Sequence, residues 1–321
     1  MLDICTMSES HLEDAATLVA RRYRALRATL PLLPARYESA EPIAAMLRDV
    51  VANNEGVVAV CGGRLVGFLN GFALNAFMNR QAAYSPDWAN GAELDQSGRI
   101  YQDLYAQLAR RWVADGRVLH AVGVLAHDRK GIEQWRWSGF GHINMDCVRG
   151  LEPLPGDAPG AVVRLAGAAD AAAVAALSHA LEDHIAAPPI FFLHKLKQDK
   201  AWLDQPGNLA WLAFEDEQPV GYLALEPGDQ AECQLLQDPG TVNICGAFVR
   251  PESRGRGLAT ALMNHALTWA AVGGYARCAV DFETTNPLAA RYWPRWFQPV
   301  TCSLLRWVDE RAAPLPQQGG S

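Results

Sequence analysis

The most informative stretch of this 321-residue chain is Arg254-Gly255-Arg256-Gly257-Leu258-Ala259-Thr260-Ala261-Leu262-Met263. The apolar positions from here on recur at helical spacing: Leu258, Leu262, Ala266 and Trp269. This spacing predicts that a helix begins inside the glycine motif. The first N–H groups of a helix have no partner within it, and the helix dipole places about half a positive charge there. Because glycine has no Cβ, anion oxygens can approach these amides closely, so the stretch predicts an anion-binding turn.

The flanking residues place this turn between two strands. Residues 244–249 are an apolar run typical of a strand, and residues 277–282 are a second such run after the helix. The second run leads to Asn286 and Pro287, and proline suits the first position of a helix because its missing N–H has no partner there in any case. The chain therefore predicts the order strand, glycine turn, helix, strand, short helix over about sixty residues.

In motif and order, this segment resembles the acetyl-CoA-binding core of the GNAT acetyltransferase superfamily. The pattern Arg/Gln-x-x-Gly-x-Gly/Ala is matched by Arg254, Gly257 and Ala259. Two other phosphate motifs do not fit, because no Gly-Lys-Ser/Thr ending is present and the glycines do not follow Gly-x-Gly-x-x-Gly. The resemblance implies an α/β fold with a mixed, largely antiparallel sheet flanked by helices. It also implies acetyl-CoA as co-substrate, no metal, and direct N-acetyl transfer to an amine without an acyl-enzyme.

The resemblance assigns the cofactor-binding residues one by one. The pyrophosphate is expected on the amides of residues 254–260, and the pantetheine is expected along Phe248 and Val249. Asn286 and Ala289 belong to the short helix that closes the site. The full set of cofactor-binding candidates is Phe248, Val249, Arg254, Gly255, Arg256, Gly257, Leu258, Ala259, Thr260, Asn286 and Ala289.

Three residues are candidates for catalysis. In the superfamily a tyrosine on the short helix often protonates the departing thiolate, seven residues after the asparagine and five before a Gly-Phe phenylalanine. Counting from Asn286 gives Trp293, whereas counting back from Phe297 gives Tyr292. Only Tyr292 carries an O–H, so it is the candidate donor, with a packing aromatic as the alternative. Asp281 and Glu283 share one face of the strand before Asn286. They are candidates to accept a proton or to bind a cationic acceptor, with solvated surface carboxylates as the alternative.

The chain also repeats itself at a spacing of about 156 residues. Val66-Gly67-Phe68 matches Val220-Gly221-Tyr222, and Trp135 matches Trp293. We therefore expect a GNAT-like domain at 1–152, an acetyl-CoA-binding GNAT domain at 161–310 and a disordered tail at 311–321. A proline- and glycine-rich linker at 151–160 separates the halves.

The two halves differ at the glycine motif. At an offset of 157, Ile100 stands in place of Gly257 and Tyr101 in place of Leu258. Bulky side chains there would fill the space that a pyrophosphate needs. We therefore expect the N-terminal half to be degenerate as a cofactor site, a pattern with precedent in tandem GNAT proteins.

Composition sets the remaining expectations. A formal net charge of −7 and a pI near 5.6 argue against nucleic acid as the main partner. Seven scattered cysteines without metal spacing or signal peptide favour free thiols in a reducing cytoplasm, and no apolar stretch is long enough to span a bilayer. The acceptor is an unidentified small-molecule or peptide amine, and the oligomeric state stays open. The alternative function is a catalytically weak acyl-CoA-binding regulatory or scaffold protein.

Overall fold

A computed structural model describes residues 2–156, 160–193, 195–196 and 198–314. The helices are α1 (Leu12–Thr29), α2 (Ala40–Asn53), α3 (Ser97–Ala114), α4 (Arg129–Trp137), α5 (Ala171–Ala186), α6 (Leu258–Val272) and α7 (Pro287–Tyr292). The strands are β1 (Leu2–Thr6), β2 (Val57–Cys61), β3 (Arg64–Leu69), β4 (Phe72–Phe77), β5 (Arg80–Ser85), β6 (Asn90–Ala92), β7 (Leu119–Leu125), β8 (Gly141–Arg149), β9 (Val162–Leu165), β10 (Leu209–Glu215), β11 (Gln218–Pro227), β12 (Thr241–Val249), β13 (Arg277–Glu283) and β14 (Gln298–Trp307). Parts of the predicted linker (157–159) and tail (315–321) lie outside the described residues.

The first of two compact units contains residues 2–31, 35–145 and 300–314. Its strands form the antiparallel series β1-β2-β3-β6 and the series β4-β5-β7-β14. The last strand of the chain completes this unit, because Thr301 to Trp307 pair antiparallel with Leu125 to Leu119 of β7. The apolar face of α3 packs into the core, with Tyr105 and Leu108 buried against Trp135.

The second unit contains residues 32–34 and 146–299. Its strands follow the order β8-β13-β12-β11-β10-β9, with residues 146–149 as the part of β8 that belongs here. Pairing is antiparallel along β9, β10, β11 and β12, whereas β12 and β13 are parallel. The predicted class, a mixed α/β fold with a largely antiparallel sheet flanked by helices, is confirmed.

Helices cover both faces of this second sheet. Tyr222 of β11 packs in one apolar cluster with Val174 and Leu177 of α5. A Cβ on the neighbouring Gly221 would instead lie 3.5 Å from Leu262 of α6. Because successive residues of a strand point to opposite faces, α5 and α6 lie on opposite sides of the sheet.

Strand β12 leaves β13 halfway along its length. The parallel pairing runs from Thr241 opposite Arg277 to Ile244 opposite Val280. On the other side, the register with β11 shifts between Ala224 and Leu225, which leaves Cys245 as an extra residue on β12. A bulge of this kind bends its strand. The bend opens a gap beyond Ile244, between the end of β12 and the end of β13.

Candidate functional site

A cavity of about 390 Å³ lies in the second unit, where β12 and β13 separate. Its walls come from α5 and α6, which lie on opposite faces of the sheet, and from α7. The lining residues from β11 and β12 are Tyr222, Leu223, Ala247, Phe248 and Val249. Those from the helices and the glycine turn are Leu181, His184, Ser253, Arg254, Gly255, Gly257, Leu258, Ala259, Thr260, Leu262, Met263, Asn286, Leu288, Ala289, Tyr292 and Trp293. The cavity therefore reaches both faces of the sheet through the gap.

The glycine turn has the conformation that its glycines make possible. Gly255 has φ +78° and Gly257 has φ +81°, in the left-handed region that other residues enter only with strain. Gly257 is the N-cap of α6, which begins at Leu258 as the sequence predicts. The first main-chain N–H groups of α6 have no partner inside the helix. They stand at the positive end of its dipole, beside the cavity, which suits them to bind an anion.

The two arginines of the motif have different surroundings. Arg254 lines the cavity, with its Nε donating to the Val249 carbonyl at 2.9 Å and its guanidinium 5.4 Å from the centre of the Phe248 ring. The side chain of Arg256 instead pairs with Glu215, with Nη1 2.9 Å from Oε1. The cavity lining thus brings together every cofactor-binding candidate except Arg256.

Helix α7 carries the predicted asparagine and tyrosine. Asn286 caps the helix, because its Oδ1 accepts the N–H groups of Leu288 and Ala289 at 3.1 and 3.3 Å. Tyr292 and Trp293 both line the cavity, so the residue found by counting from Asn286 and the residue found by counting back from Phe297 both lie at the cavity wall. The Tyr292 hydroxyl oxygen is buried and has no hydrogen-bond partner in the part of the chain that the structure describes. Burial raises the pKa of Tyr292 to about 12, although nearby Thr260 and Arg149 both act to lower it.

Arg149 is a functional candidate that the sequence analysis missed. It ends β8 and is 9% exposed, with its guanidinium 5.7 Å from the centre of the Phe297 ring. Its Nε and Nη2 donate to the carbonyls of Gly150 and Glu152, and its Nη1 is buried without a partner. Its positive charge acts on the Tyr292 phenol. No sequence motif connects the two residues, because they lie more than a hundred positions apart.

The predicted carboxylates lie outside this set. Neither Asp281 nor Glu283 is one of the described residues that line the cavity. Both sit on β13 and are half-buried. Glu283 lies close enough to His184 of α5 for its charge to raise the pKa of that imidazole. His184 itself lines the cavity.

In the first unit, the corresponding position is filled by side chains. Ile100 and Tyr101 are 3% and 0% exposed in the first turns of α3, which begins at Ser97 without a glycine turn. The Tyr101 hydroxyl accepts from Arg22 Nη1 at 2.6 Å, and Arg22 Nη2 lies 2.6 Å from a carboxylate oxygen of Asp128. Asp128 caps α4 as Asn286 caps α7. A buried ion pair and its hydrogen bonds therefore surround Tyr101, the residue that corresponds in sequence to Leu258 of the second unit.

The described residues lack two further features. None of the helices is both long and apolar enough to cross a membrane. No cluster of three or more His, Cys, Asp or Glu side chains has the arrangement of a metal site in this part of the chain.

Comparison with known proteins agrees with this geometry. Residues 178–297 match the model of the acetyltransferase (GNAT) family. No curated protein matches the chain significantly. A GCN5-related N-acetyltransferase from Sphaerobacter thermophilus is similar in structure, with a TM-score of 0.60, 16% identity and coverage of 100% of this chain and 98% of that chain.

Two other solved structures are also similar. One contains a GCN5-related glucosamine N-acetyltransferase region of a fungal multi-domain GH3 β-N-acetylglucosaminidase, with a TM-score of 0.55, 12% identity and coverage of 95% of this chain and 38% of that chain. The other is a tandem GNAT protein from the clavulanic acid biosynthesis pathway, with a TM-score of 0.48, 17% identity and coverage of 98% and 100%. At 16% and 12% identity, the likeness to the Sphaerobacter thermophilus structure and to the fungal structure establishes the fold and does not identify the substrate.

Proposed function

We propose that the second unit, whose residues 178–297 match the GNAT acetyltransferase family model, transfers the acetyl group of acetyl-CoA directly to an amine. The observation that carries this proposal is the cavity at the start of α6. There the glycine turn, the free helix amides, Asn286 and Tyr292 meet in the gap between β12 and β13.

The residues present fit the co-substrate. The unpaired N–H groups at the start of α6 offer the donors that a pyrophosphate accepts, and Gly255 and Gly257 leave the approach to them open. Beyond Ile244, β12 has no partner in β13, so main-chain groups near Phe248 and Val249 can hydrogen-bond the pantetheine amides. The side chain of Arg254 adds a positive charge beside the same cavity.

The transfer needs a donor and an acceptor of protons. An ordinary alkyl amine has a pKa of about 10.4, and a thiol has one of about 8.5, so the amine must lose a proton and the thiolate gains from receiving one. The Tyr292 hydroxyl is the proposed proton donor, because it is buried in the cavity wall without a hydrogen-bond partner. A main-chain N–H near Phe248 and Val249 is the proposed stabiliser of the oxyanion.

Asp281 and Glu283 are proposed to act on the acceptor from β13. Neither side chain lines the cavity, so we assign them the attraction of the acceptor's ammonium group towards the site. The acceptor is a small-molecule or peptide amine. The seven cysteines, all within the described residues, are not joined in disulfide bonds, which supports a reducing cytoplasmic location.

Turnover with simple amines tests the proposal. The full-length protein is incubated with acetyl-CoA and benzylamine, glycinamide or spermidine, and the CoA thiol is measured with a thiol reagent while mass spectrometry follows the acetylated amine. We expect equal amounts of the two products. Binding of acetyl-CoA by calorimetry without turnover of any amine would instead favour an acyl-CoA-binding regulatory protein.

A further inference from the structure

His184 presents an unused imidazole nitrogen in the cavity wall. It lies near the end of α5, on the face of the sheet opposite α6, and its ring centre is 6.1 Å from that of Phe248. Its Nε2 is buried, and no group among the described residues hydrogen-bonds to it. A buried nitrogen of this kind costs free energy unless a ligand or water satisfies it. The position therefore suits a group that acts on something inside the cavity.

Charged and polar groups approach this imidazole from several elements. Arg254 lies on the side of the glycine turn, Glu283 on the side of β13 and Asn286 on the side of α7. Tyr222 of β11 and Tyr292 of α7 share the same cavity. On α5 itself, Glu182 is engaged by the main-chain N–H of Leu196 at 2.7 Å.

These neighbours keep the ring neutral. Burial lowers the pKa of His184 most, and the positive charge of Arg254 lowers it further. Asn286 and the negative charge of Glu283 raise it in part. The net direction is downward from the ordinary value, so at neutral pH the imidazole is unprotonated and has a free lone pair. Arg254 therefore lowers the pKa of His184 in addition to lining the cavity at the glycine turn.

We propose that His184 is a catalytic residue of the second unit and takes the proton of the acceptor amine at Nε2. This inference rests on the proposed acetyl transfer and adds the general base to it. The protein uses an imidazole that lines the cavity, and the negative charge of Glu283 acts on that imidazole.

The proton and electron balance of the step is simple. The acceptor attacks as the neutral amine, after its ammonium proton has passed to water. The amine nitrogen forms a bond to the acetyl carbon, and one N–H proton of that nitrogen passes to Nε2 of His184, whose other nitrogen carries the proton of the neutral ring. The C–S bond breaks and its electron pair leaves with sulphur. The thiolate takes the Tyr292 hydroxyl proton. His184 thus gains the proton that the amine loses, and exchange with solvent restores both side chains.

The chain offers a matched control on the same helix. His179 is exposed on α5, five residues before His184, and does not line the cavity. His184→Gln and His179→Gln therefore remove the same titrating group from one helix at two positions. His184→Ala adds a third variant, which leaves room for imidazole supplied in solution.

Turnover is measured from pH 5.5 to 9.5 with acetyl-CoA and whichever of benzylamine, glycinamide and spermidine the wild type acetylates fastest. We expect H184Q to lose about 10²- to 10⁴-fold in kcat at pH 7, the usual contribution of general-base catalysis. The wild-type profile should contain a limb that titrates below the ordinary imidazole pKa of about 6.5. That limb should vanish in H184Q and persist in H179Q. Imidazole should restore turnover to H184A in proportion to its concentration.

Calorimetric binding of acetyl-CoA separates catalysis from folding. We expect all three variants to bind it as the wild type does. The proposal for His184 is overturned if H184Q keeps kcat within a factor of three, if H179Q loses as much, or if H184Q loses acetyl-CoA binding in parallel with turnover. If the wild type binds acetyl-CoA but acetylates none of the amines, the proposed acetyl transfer is refuted, and the proposed role of His184 as its base is refuted with it.

Discussion

Gly257 is the residue at which cofactor binding and folding can be separated most cleanly. It is the N-cap of α6 with φ +81°, and it lines the cavity. Gly274, just beyond the other end of the same helix, has φ +78°, does not line the cavity, and an added Cβ there would meet nothing within 4 Å. Gly257→Ala and Gly274→Ala therefore place the same side chain in the same strained conformation at opposite ends of α6.

The two substitutions should cost similar stability but affect binding differently. A left-handed conformation costs a residue with a Cβ about 1–2 kcal/mol, so both variants should unfold at slightly lower denaturant. A hydrogen bond to a charged group contributes about 1.5–3 kcal/mol, and we expect the methyl group that Gly257→Ala introduces to keep phosphate oxygens from about two amides. The resulting loss of about 3–6 kcal/mol corresponds to about 10²- to 10⁴-fold weaker binding.

Titration calorimetry with CoA and guanidinium unfolding followed by tryptophan fluorescence measure the two effects on each variant. We expect G274A to bind CoA with the wild-type Kd and G257A to bind it at least a hundredfold more weakly. Two results would refute the reasoning: wild-type affinity in G257A, or the same loss of affinity in G274A. The second result would mean that strain in α6, and not access to its amides, controls binding.

Three further predictions follow from single side chains. Tyr292→Phe should lower kcat about 10- to 100-fold without changing the Kd for CoA, because the variant keeps the ring and loses only the proposed proton donor; steady-state kinetics and calorimetry check this. Glu283→Gln should raise KM for an amine and lower the pKa of His184 by removing a negative charge, which histidine NMR titration measures; an unchanged imidazole titration would contradict the contact. In the first unit, burial raises the pKa of Asp87 to about 7 from 3.8, and its Oδ2 has no hydrogen-bond partner within the described ranges. The folded state therefore holds a proton that the unfolded state releases, and stability falls as pH rises from about 4 to 7. Asp87→Asn should remove up to about 4 kcal/mol of this dependence, as urea unfolding at pH 4 and pH 8 would show; parallel wild-type and variant curves would exclude it.

The sequence by itself determined the local structure of the cofactor turn. Glycines and helical periodicity are short-range signals, so the start of α6 at Leu258 and the Asn286 cap of α7 follow from a few neighbouring residues. The contrast between Gly257 and Ile100 is also a local signal. A bulky residue disfavours the left-handed backbone conformation of glycine in any tertiary structure. The family and the mixed α/β class rested on these signals.

The tertiary structure decided which distant side chains join the site. Asp281 and Glu283 alternate on β13 as the sequence predicts, but the direction of that face relative to the gap depends on how β12 bends. Arg256 follows the motif in sequence, yet its side chain pairs with Glu215 of β10. Neither outcome is encoded within a window of ten residues, because each depends on which strands pair.

Strand pairing also decided where the ends of the two repeats belong. The sequence assigns residues 161–310 to the second domain, whereas the unit that holds the cavity begins at 146 and β14 pairs with β7 in the first unit. Strands β8 and β14 have nine and ten residues of mixed polarity, and their local sequence does not determine which strands they pair with, so only long-range pairing places them. As a result, Arg149 lies close enough to Tyr292 to act on its phenol. The sequence thus determined the conformation of the glycine turn, and the folded sheet determined which charges surround it.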